Sequence, residues 1–124
     1  MRVLLFSILI LISTSSSASV DDSTQALLSA CQSVVDAKPS GDYFQVPPTF
    51  DAGYCYGAFS AIQNAITLAF EGEQPIFGVC APPESNLKQI IIIFNEYAEK
   101  NPQILHEGYF LIAIESLRDA FPCE

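Results

Sequence analysis

Four cysteines constrain the fold of this 124-residue chain more than any other feature of its sequence. They are Cys31, Cys55, Cys80 and Cys123, spread over most of the chain. No two of them form a C-x-x-C pair, and the single histidine, His106, has no partner at ligand spacing. An even number of cysteines in a small exported domain is typical of disulfides. We therefore expect two disulfide bonds and no metal or other cofactor.

The N-terminal residues predict export. Arg2 supplies positive charge, residues 3–12 are apolar, and a run of serines leads to Ala18, a small residue suited to signal peptidase. The apolar run is shorter than the roughly 20 residues that a bilayer crossing needs. We therefore expect a signal peptide over residues 1–18, one domain over residues 19–124, and no integral membrane segment after cleavage.

The spacing of apolar residues predicts four helices separated by Pro, Gly and Asn signals. Short links between such helices favour antiparallel neighbours. The fold class is therefore all-α, a small four-helix domain with two disulfides. The predicted helices run from the N-cap Ser23 to Lys38, from Asp51 to Glu71, from the N-cap Ser85 to Lys100, and from the Asn101–Pro102 pair to Ala120.

The predicted helices rank the three possible cysteine pairings. Cys31 lies late in the first helix and Cys55 early in the second, so antiparallel packing places them at one level. Cys80 precedes the third helix and Cys123 follows the fourth, and these ends coincide in an antiparallel hairpin. A Cys55–Cys80 bond would have to join the two ends of the second helix, whereas a disulfide needs Cα atoms about 6 Å apart. We therefore expect Cys31–Cys55 and Cys80–Cys123 bonds.

Four consecutive isoleucines, residues 90–93, make the apolar stripe of the third helix unusually wide. A helix packed between several neighbours explains this width, and so does a subunit interface. Both alternatives stay open at this point. Under the second, the chain forms a homodimer, and Ile92 and Ile93 are the candidate contacts.

Charge limits the classes of partner. The chain carries 14 Asp and Glu residues against five Lys and Arg residues, and one of those five is Arg2. Phosphates would be repelled, so nucleic acid is not expected as a partner. The acidity serves solubility alone, or it speeds the approach of a basic protein partner.

The residues that catalysis needs are scarce. His106 is the only histidine available to activate a nucleophile, and the cysteines are expected to be bonded to each other. There is no G-x-S-x-G motif. Glu71 and Glu73 lie in a predicted loop, without the apolar setting that paired catalytic carboxyls use. We therefore expect a binding protein and no enzyme.

Four segments of the chain form a distinctive set, namely GYCYG at 53–57, VCAPP at 79–83, NPQILH at 101–106 and AFPC at 120–123. Together they resemble the Rap/Tai family of type VI secretion amidase immunity proteins. The resemblance implies a helical fold with two disulfides, often a homodimer, that binds a peptidoglycan-cleaving amidase in the periplasm and blocks its active site. The chain departs from the family pattern at the isoleucine run and at Ala58, where a bulkier residue is expected.

Two functions follow as alternatives. The first is a periplasmic immunity protein that occludes a type VI secretion amidase effector without catalysis. The second is a housekeeping periplasmic helical protein, binding or chaperone-like, with no toxin partner. Occlusion needs an adaptable protruding segment, although both candidate segments also read as ordinary exposed connections. The candidate partner-binding residues are Glu71, Gly72, Glu73 and Gln74 in one loop and Ala81, Pro82, Pro83 and Glu84 in the next.

Overall fold

The computed structural model describes residues 20–39, 45–69 and 71–124, and within them the chain is helical with no β-strand beyond isolated bridges. The predicted signal peptide, residues 1–18, lies outside the described residues. The prediction of an all-α, four-helix fold with two disulfides is confirmed. The elements are α1 (Thr24–Asp36), α2 (Phe50–Ile66), α3 (Leu87–Lys100), a 3-10 turn (Pro102–Ile104) and α4 (Tyr109–Ala120).

Polar N-caps start the first three helices. The side chains of Ser23, Thr49 and Asn86 each accept a hydrogen bond from the backbone N–H three residues later. The predicted cap of the third helix, Ser85, is therefore wrong by one residue. The N–H of Ser85 instead donates to the carbonyl of Pro82 in the preceding turn, which leaves the extended Asn86 to cap α3.

The second helix ends at Ile66 and does not continue to Glu71 as predicted. Thr67 is its C-cap, and the Thr67 hydroxyl donates to the carbonyl of Asn64. Immediately afterwards the backbone turns back, with the N–H of Ile76 donating to the carbonyl of Leu68. The chain thus leaves the helix and enters a loop that this hydrogen bond closes, and Leu68 and Ala69 of the apolar pattern belong to the loop.

The fourth helix begins at Tyr109, and the Asn101–Pro102 pair opens only the short 3-10 turn. Tertiary contacts delay the start of α4. The residues just before α4 are tied to the first turn of α1, where the N–H of Thr24 donates to the carbonyl of Glu107 at 2.7 Å. The N–H of Tyr109 in turn donates to the carbonyl of Asp22 at 2.9 Å. A continuous helix from residue 101 could not make these contacts.

The third helix runs against α1. The Lys88 ammonium, at the start of α3, donates to the carbonyl of Ala37, just past the end of α1. At the other end, the N–H of Gln25 donates to the carbonyl of Leu105, which follows α3 and the 3-10 turn. Each end of α3 therefore lies beside the opposite end of α1.

The third helix also runs against α2. The rings of Phe59 and Phe94 lie 5.2 Å apart at mid-helix, and Ile90, near the start of α3, lines the same groove as Ile66 at the end of α2. Since α3 opposes both α1 and α2, those two helices run in the same direction. The expectation of antiparallel neighbours is therefore wrong for α1 and α2. Residues 37–49 are long enough to return the chain to the starting end.

Both predicted disulfides are confirmed, with Cα–Cα distances of 5.0 Å in each. Cys31 and Cys55 are fully buried, and their bond joins α1 to α2 inside the core. The predicted Cys31–Cys55 bond forms even though α1 and α2 are parallel and not antiparallel. Cys31 lies near the middle of α1, so its height beside Cys55 is nearly the same for either direction of that helix. The largest core side chains are Leu27, Phe59, Ile62, Ile90, Ile91, Phe94, Ile112 and Leu117.

Candidate functional site

The first candidate segment forms an exposed turn beyond the end of α2. Glu71, Gly72, Glu73 and Gln74 are all exposed, and a β-bridge between Ala69 and Pro75 closes the turn beneath them. Gly72 has φ +78°, a backbone conformation that strongly favours glycine. The turn therefore projects from the domain with two carboxylates at its tip.

The second candidate segment follows directly after Cys80. The disulfide from Cys80 to Cys123 and a hydrogen bond from the N–H of Cys80 to the carbonyl of Phe121 join it to the C-terminus. Within the segment, Pro82 and Pro83 restrict the backbone. This segment is thus held rigidly even though it has no regular secondary structure.

Side-chain hydrogen bonds also connect the two segments to α4 and to the C-terminus. The guanidinium Nε of Arg118 donates to the carbonyl of Phe77 at 3.0 Å, and the Gln74 amide donates to the carbonyl of Glu124 at 2.8 Å. Gly78, with φ +66°, provides the bend that brings the backbone close to the Arg118 side chain. These bonds attach the chain from Gln74 to Cys80, which connects the two segments, to α4 and to the C-terminus.

An open groove of about 460 Å³ is lined by part of the second candidate segment, namely Ala81, Pro82 and Pro83. From the first segment's neighbourhood it takes only Pro75, the residue that follows Gln74. A narrower groove continues past Pro82 and Pro83 to Gln63, Ser85 and Ile90. The groove therefore involves the second segment directly and the first only through its neighbour. The groove is lined by Ile66, Thr67, Pro75, Val79, Cys80, Ala81, Pro82 and Pro83.

Sequence reasoning missed half of this lining, namely Ile66, Thr67, Pro75 and Val79. Ile66 and Val79 are nearly fully buried, so in the sequence they read as ordinary core positions. Pro75 could have been noticed, since a proline after an acidic turn restricts the backbone. Nothing in the sequence indicated that Pro75 and Pro82 line the same groove.

The loops that line the groove are mostly acidic. Glu73 and Glu84 are exposed and lie within two residues of the lining prolines Pro75 and Pro83. Residues 67–86 contain no Lys or Arg, although Arg118 of α4 contacts the loop at Phe77 and Gly78. An apolar groove in acidic loops is suited to binding a positively charged protein surface.

The proposed dimer contacts lie elsewhere, on α3. Ile92 and Ile93 are both half-buried. Ile93 packs against the core and lines a second groove, of about 300 Å³, together with Tyr97 and Asp119. Ile92 is therefore the more accessible contact for a second copy.

An aromatic surface lies at the start of α2, at the opposite end from the groove. Phe50 is 81% exposed, its ring stacks on Tyr54, and Tyr54 contacts the edge of Tyr109. Burial raises the pKa of Tyr54, and Tyr109 and the carboxylates of Asp22 and Asp21 raise it further. The surface continues through the exposed Phe110 and Leu111.

The described residues hold no candidate metal-binding group. Over residues 20–39, 45–69 and 71–124, no three His, Cys, Asp or Glu side chains are grouped as a metal ion would require. His106 is exposed in the turn that precedes α4. Among the same residues, no helix combines the length and the apolar character that crossing a bilayer demands.

Comparison with known proteins agrees with this architecture. The family model of Rap1a immunity proteins matches residues 23–123, which include all four helices and both disulfides. No curated protein and no solved structure matches the chain. Proteins of such a family generally act by binding and not by catalysis, and the two disulfides fit an extracytoplasmic protein. The chain therefore belongs to the family of Rap1a immunity proteins, and this membership indicates an immunity protein directed against a secreted effector.

Proposed function

We propose that this chain is a periplasmic immunity protein that binds a type VI secretion amidase effector and covers its active site. It acts by occlusion and performs no chemistry on the effector. The match of the immunity family over residues 23–123 is the observation that carries this proposal. The end of the molecule that holds the groove supports it, because an exposed turn closed by the Ala69–Pro75 bridge and an open apolar groove both occur there.

The sequence predicts an adaptable occluding segment, but a rigid segment can also cover a cleft when its shape already fits that cleft. The Cys80–Cys123 bond and the hydrogen bonds of Arg118 and Gln74 hold the two segments in place before binding. A preformed surface loses less conformational entropy on association than a flexible one. This arrangement favours a tight complex from a small contact area.

The acidic loops that line the groove add attraction at a distance. Opposite charges on two proteins raise the association rate, and dissolved salt weakens this effect because it screens exposed charges. We expect association with the amidase to slow as the salt concentration rises, whereas a purely apolar contact would show little change. Stopped-flow mixing at several salt concentrations measures this directly.

Coexpression tests the function in cells. The exported chain is produced together with a periplasm-directed amidase encoded by a neighbouring gene, and lysis is scored. We expect the wild-type chain to prevent lysis. Glu71→Lys and Glu73→Lys should each weaken protection, because they place positive charge at the tip of the turn. Glu107→Lys, which alters an exposed glutamate just before α4 and away from the groove, is the matched control.

The coexpression results distinguish a wrong function from a wrong choice of contact residues. Lysis in the presence of the wild-type chain, with every neighbouring or related amidase tried, would remove the immunity function and favour a housekeeping periplasmic binding protein. Protection that neither charge reversal changes would leave the immunity function in place and reject only the turn as the contact.

A further inference from the structure

We infer that the groove lined by Ile66, Val79 and the prolines Pro75, Pro82 and Pro83 receives an apolar side chain of the effector, and that Lys or Arg residues flank this side chain. The inference rests on the proposed function and adds the chemistry of the contact. The immunity protein then does more than cover the effector, because it also takes a part of the effector into its own surface.

The lining of the groove requires an apolar occupant. Ile66 and Val79 are buried at its base, and three prolines form much of its walls. Thr67 is the only lining residue with a hydroxyl, and that hydroxyl already donates to the carbonyl of Asn64. A polar side chain entering the groove would lose hydration and gain few hydrogen bonds in return.

The dimensions also suit an anchoring residue. Ligand-binding clefts in proteins commonly measure about 300–1,000 Å³, and this groove, of about 460 Å³, falls in that range. In protein complexes, apolar anchors that fill preformed pockets contribute much of the affinity. The groove is preformed, since a disulfide and main-chain hydrogen bonds fix its walls.

Charge decides between the possible occupants. The lining residues adjoin exposed carboxylates in the sequence, since Glu84 follows Pro83 and Glu73 precedes Pro75 by two residues. The whole chain carries a net charge of −9, although one cation, Arg118, lies beside Gly78. A second copy of this acidic chain and an anionic lipid would both be repelled. A basic effector segment would be attracted, because its Lys or Arg residues meet the carboxylates while its apolar side chain enters the groove.

The test compares two matched substitutions at exposed prolines. Pro82→Arg places a cation and a long side chain in the groove, and Pro48→Arg makes the same change just before α2, at the opposite end of that helix. The dissociation constant is measured by calorimetry with an amidase whose catalytic cysteine has been replaced. We expect Pro82→Arg to weaken binding by about tenfold or more, and Pro48→Arg to leave it unchanged.

Thermal unfolding of both variants checks that they remain folded. If Pro82→Arg is unfolded, Ala81→Arg, in the same wall, takes its place in the same comparison. Binding that the groove variant does not weaken overturns the inference and leaves the proposed function intact. Failure of the wild-type chain to bind overturns both, so the two failures are distinguishable.

Crosslinking identifies the occupant. Pro82 is replaced by a photoreactive phenylalanine analogue, the complex is irradiated, and the crosslinked effector peptide is sequenced by mass spectrometry. We expect a peptide with an apolar residue next to Lys or Arg. Crosslinking to an acidic or uncharged effector segment, or to a second copy of this chain, would contradict the inference.

Discussion

The carboxyl group of Asp21 has a pKa that contacts with a nearby residue have shifted. The backbone N–H of Ser23 donates to the Asp21 carboxylate at 2.9 Å, just ahead of α1. This hydrogen bond, together with one from the Ser23 side chain, lowers the pKa of Asp21 below its ordinary value of 3.8. The same serine caps α1, so the charge and the helix start are coupled.

This shift makes a prediction for acid stability. Because the pKa of Asp21 is lower in the folded state, its carboxylate stabilises the fold above pH 3.8, and the contribution is lost as the pH falls through the lowered pKa. Asp21→Asn should therefore lose less stability than wild type over the interval below pH 3.8. Urea unfolding at a series of pH values measures this, with Asp22→Asn as the matched control. Equal acid sensitivity of wild type and Asp21→Asn would contradict the assignment.

The helix N-caps were the most predictable feature at the scale of single residues. Ser23 was identified as a cap because its hydroxyl needs only the N–H three residues later. The sequence predicts Ser85 as the cap of the third helix, and the structure has its neighbour Asn86, because the turn that engages the Ser85 N–H cannot be seen from the sequence. Local chemistry therefore placed the helix start to within one residue.

The two disulfides differ in what they hold. The Cys31–Cys55 bond lies inside the core, with both cysteines fully buried. In the Cys80–Cys123 bond, Cys80 is exposed, and the bond joins the wall of the groove to the C-terminus. The first bond therefore supports the fold, and the second shapes the binding surface.

Paired substitutions should separate these roles. Cys31→Ser with Cys55→Ser should lower the free energy of unfolding by more than the roughly 3 kcal/mol of chain entropy, since two hydroxyls enter the core. Cys80→Ser with Cys123→Ser should keep the helical circular dichroism spectrum but weaken binding to the amidase. The free energy of unfolding and the dissociation constant are measured for both variants. An unchanged affinity without the Cys80–Cys123 bond would contradict its role.

Helix directions and boundaries were less predictable than helix existence. The Asn101–Pro102 pair has the chemistry of a helix start, yet α4 waits until Tyr109 because the intervening backbone bonds to α1. The parallel course of α1 and α2 follows from contacts that both make with α3. Such contacts join residues distant in sequence, and apolar spacing carries no information about them.

The whole molecule presents three separate surfaces: the groove end, the aromatic surface around Phe50, and the α3 face with Ile92. The groove could not be predicted, because its walls come from α2 and the loop before α3, and α4 only holds that loop in place. Its two flanking segments were predictable as exposed loops. The sequence alone did not show that an apolar groove forms beside the second segment and Pro75.

We propose that α3 forms the contact between two copies of the chain, which leaves both groove ends open to effectors. Ile92→Glu should produce a folded monomer, because Ile92 is half-buried and lies apart from the core packing. Ile93→Glu should also reduce stability, since Ile93 packs against the core. Sedimentation velocity at micromolar concentration measures the mass, and a monomeric wild-type chain would contradict the dimer.

Inhibition of the purified amidase tests the central claim most directly. Increasing amounts of the mature chain are added to a fixed amount of the neighbouring-gene amidase, and the release of peptidoglycan fragments is followed. Occlusion predicts that activity falls linearly to zero at one immunity chain per enzyme, with both proteins recovered intact. Full amidase activity in the presence of excess chain, or cleavage of the amidase, would contradict the account.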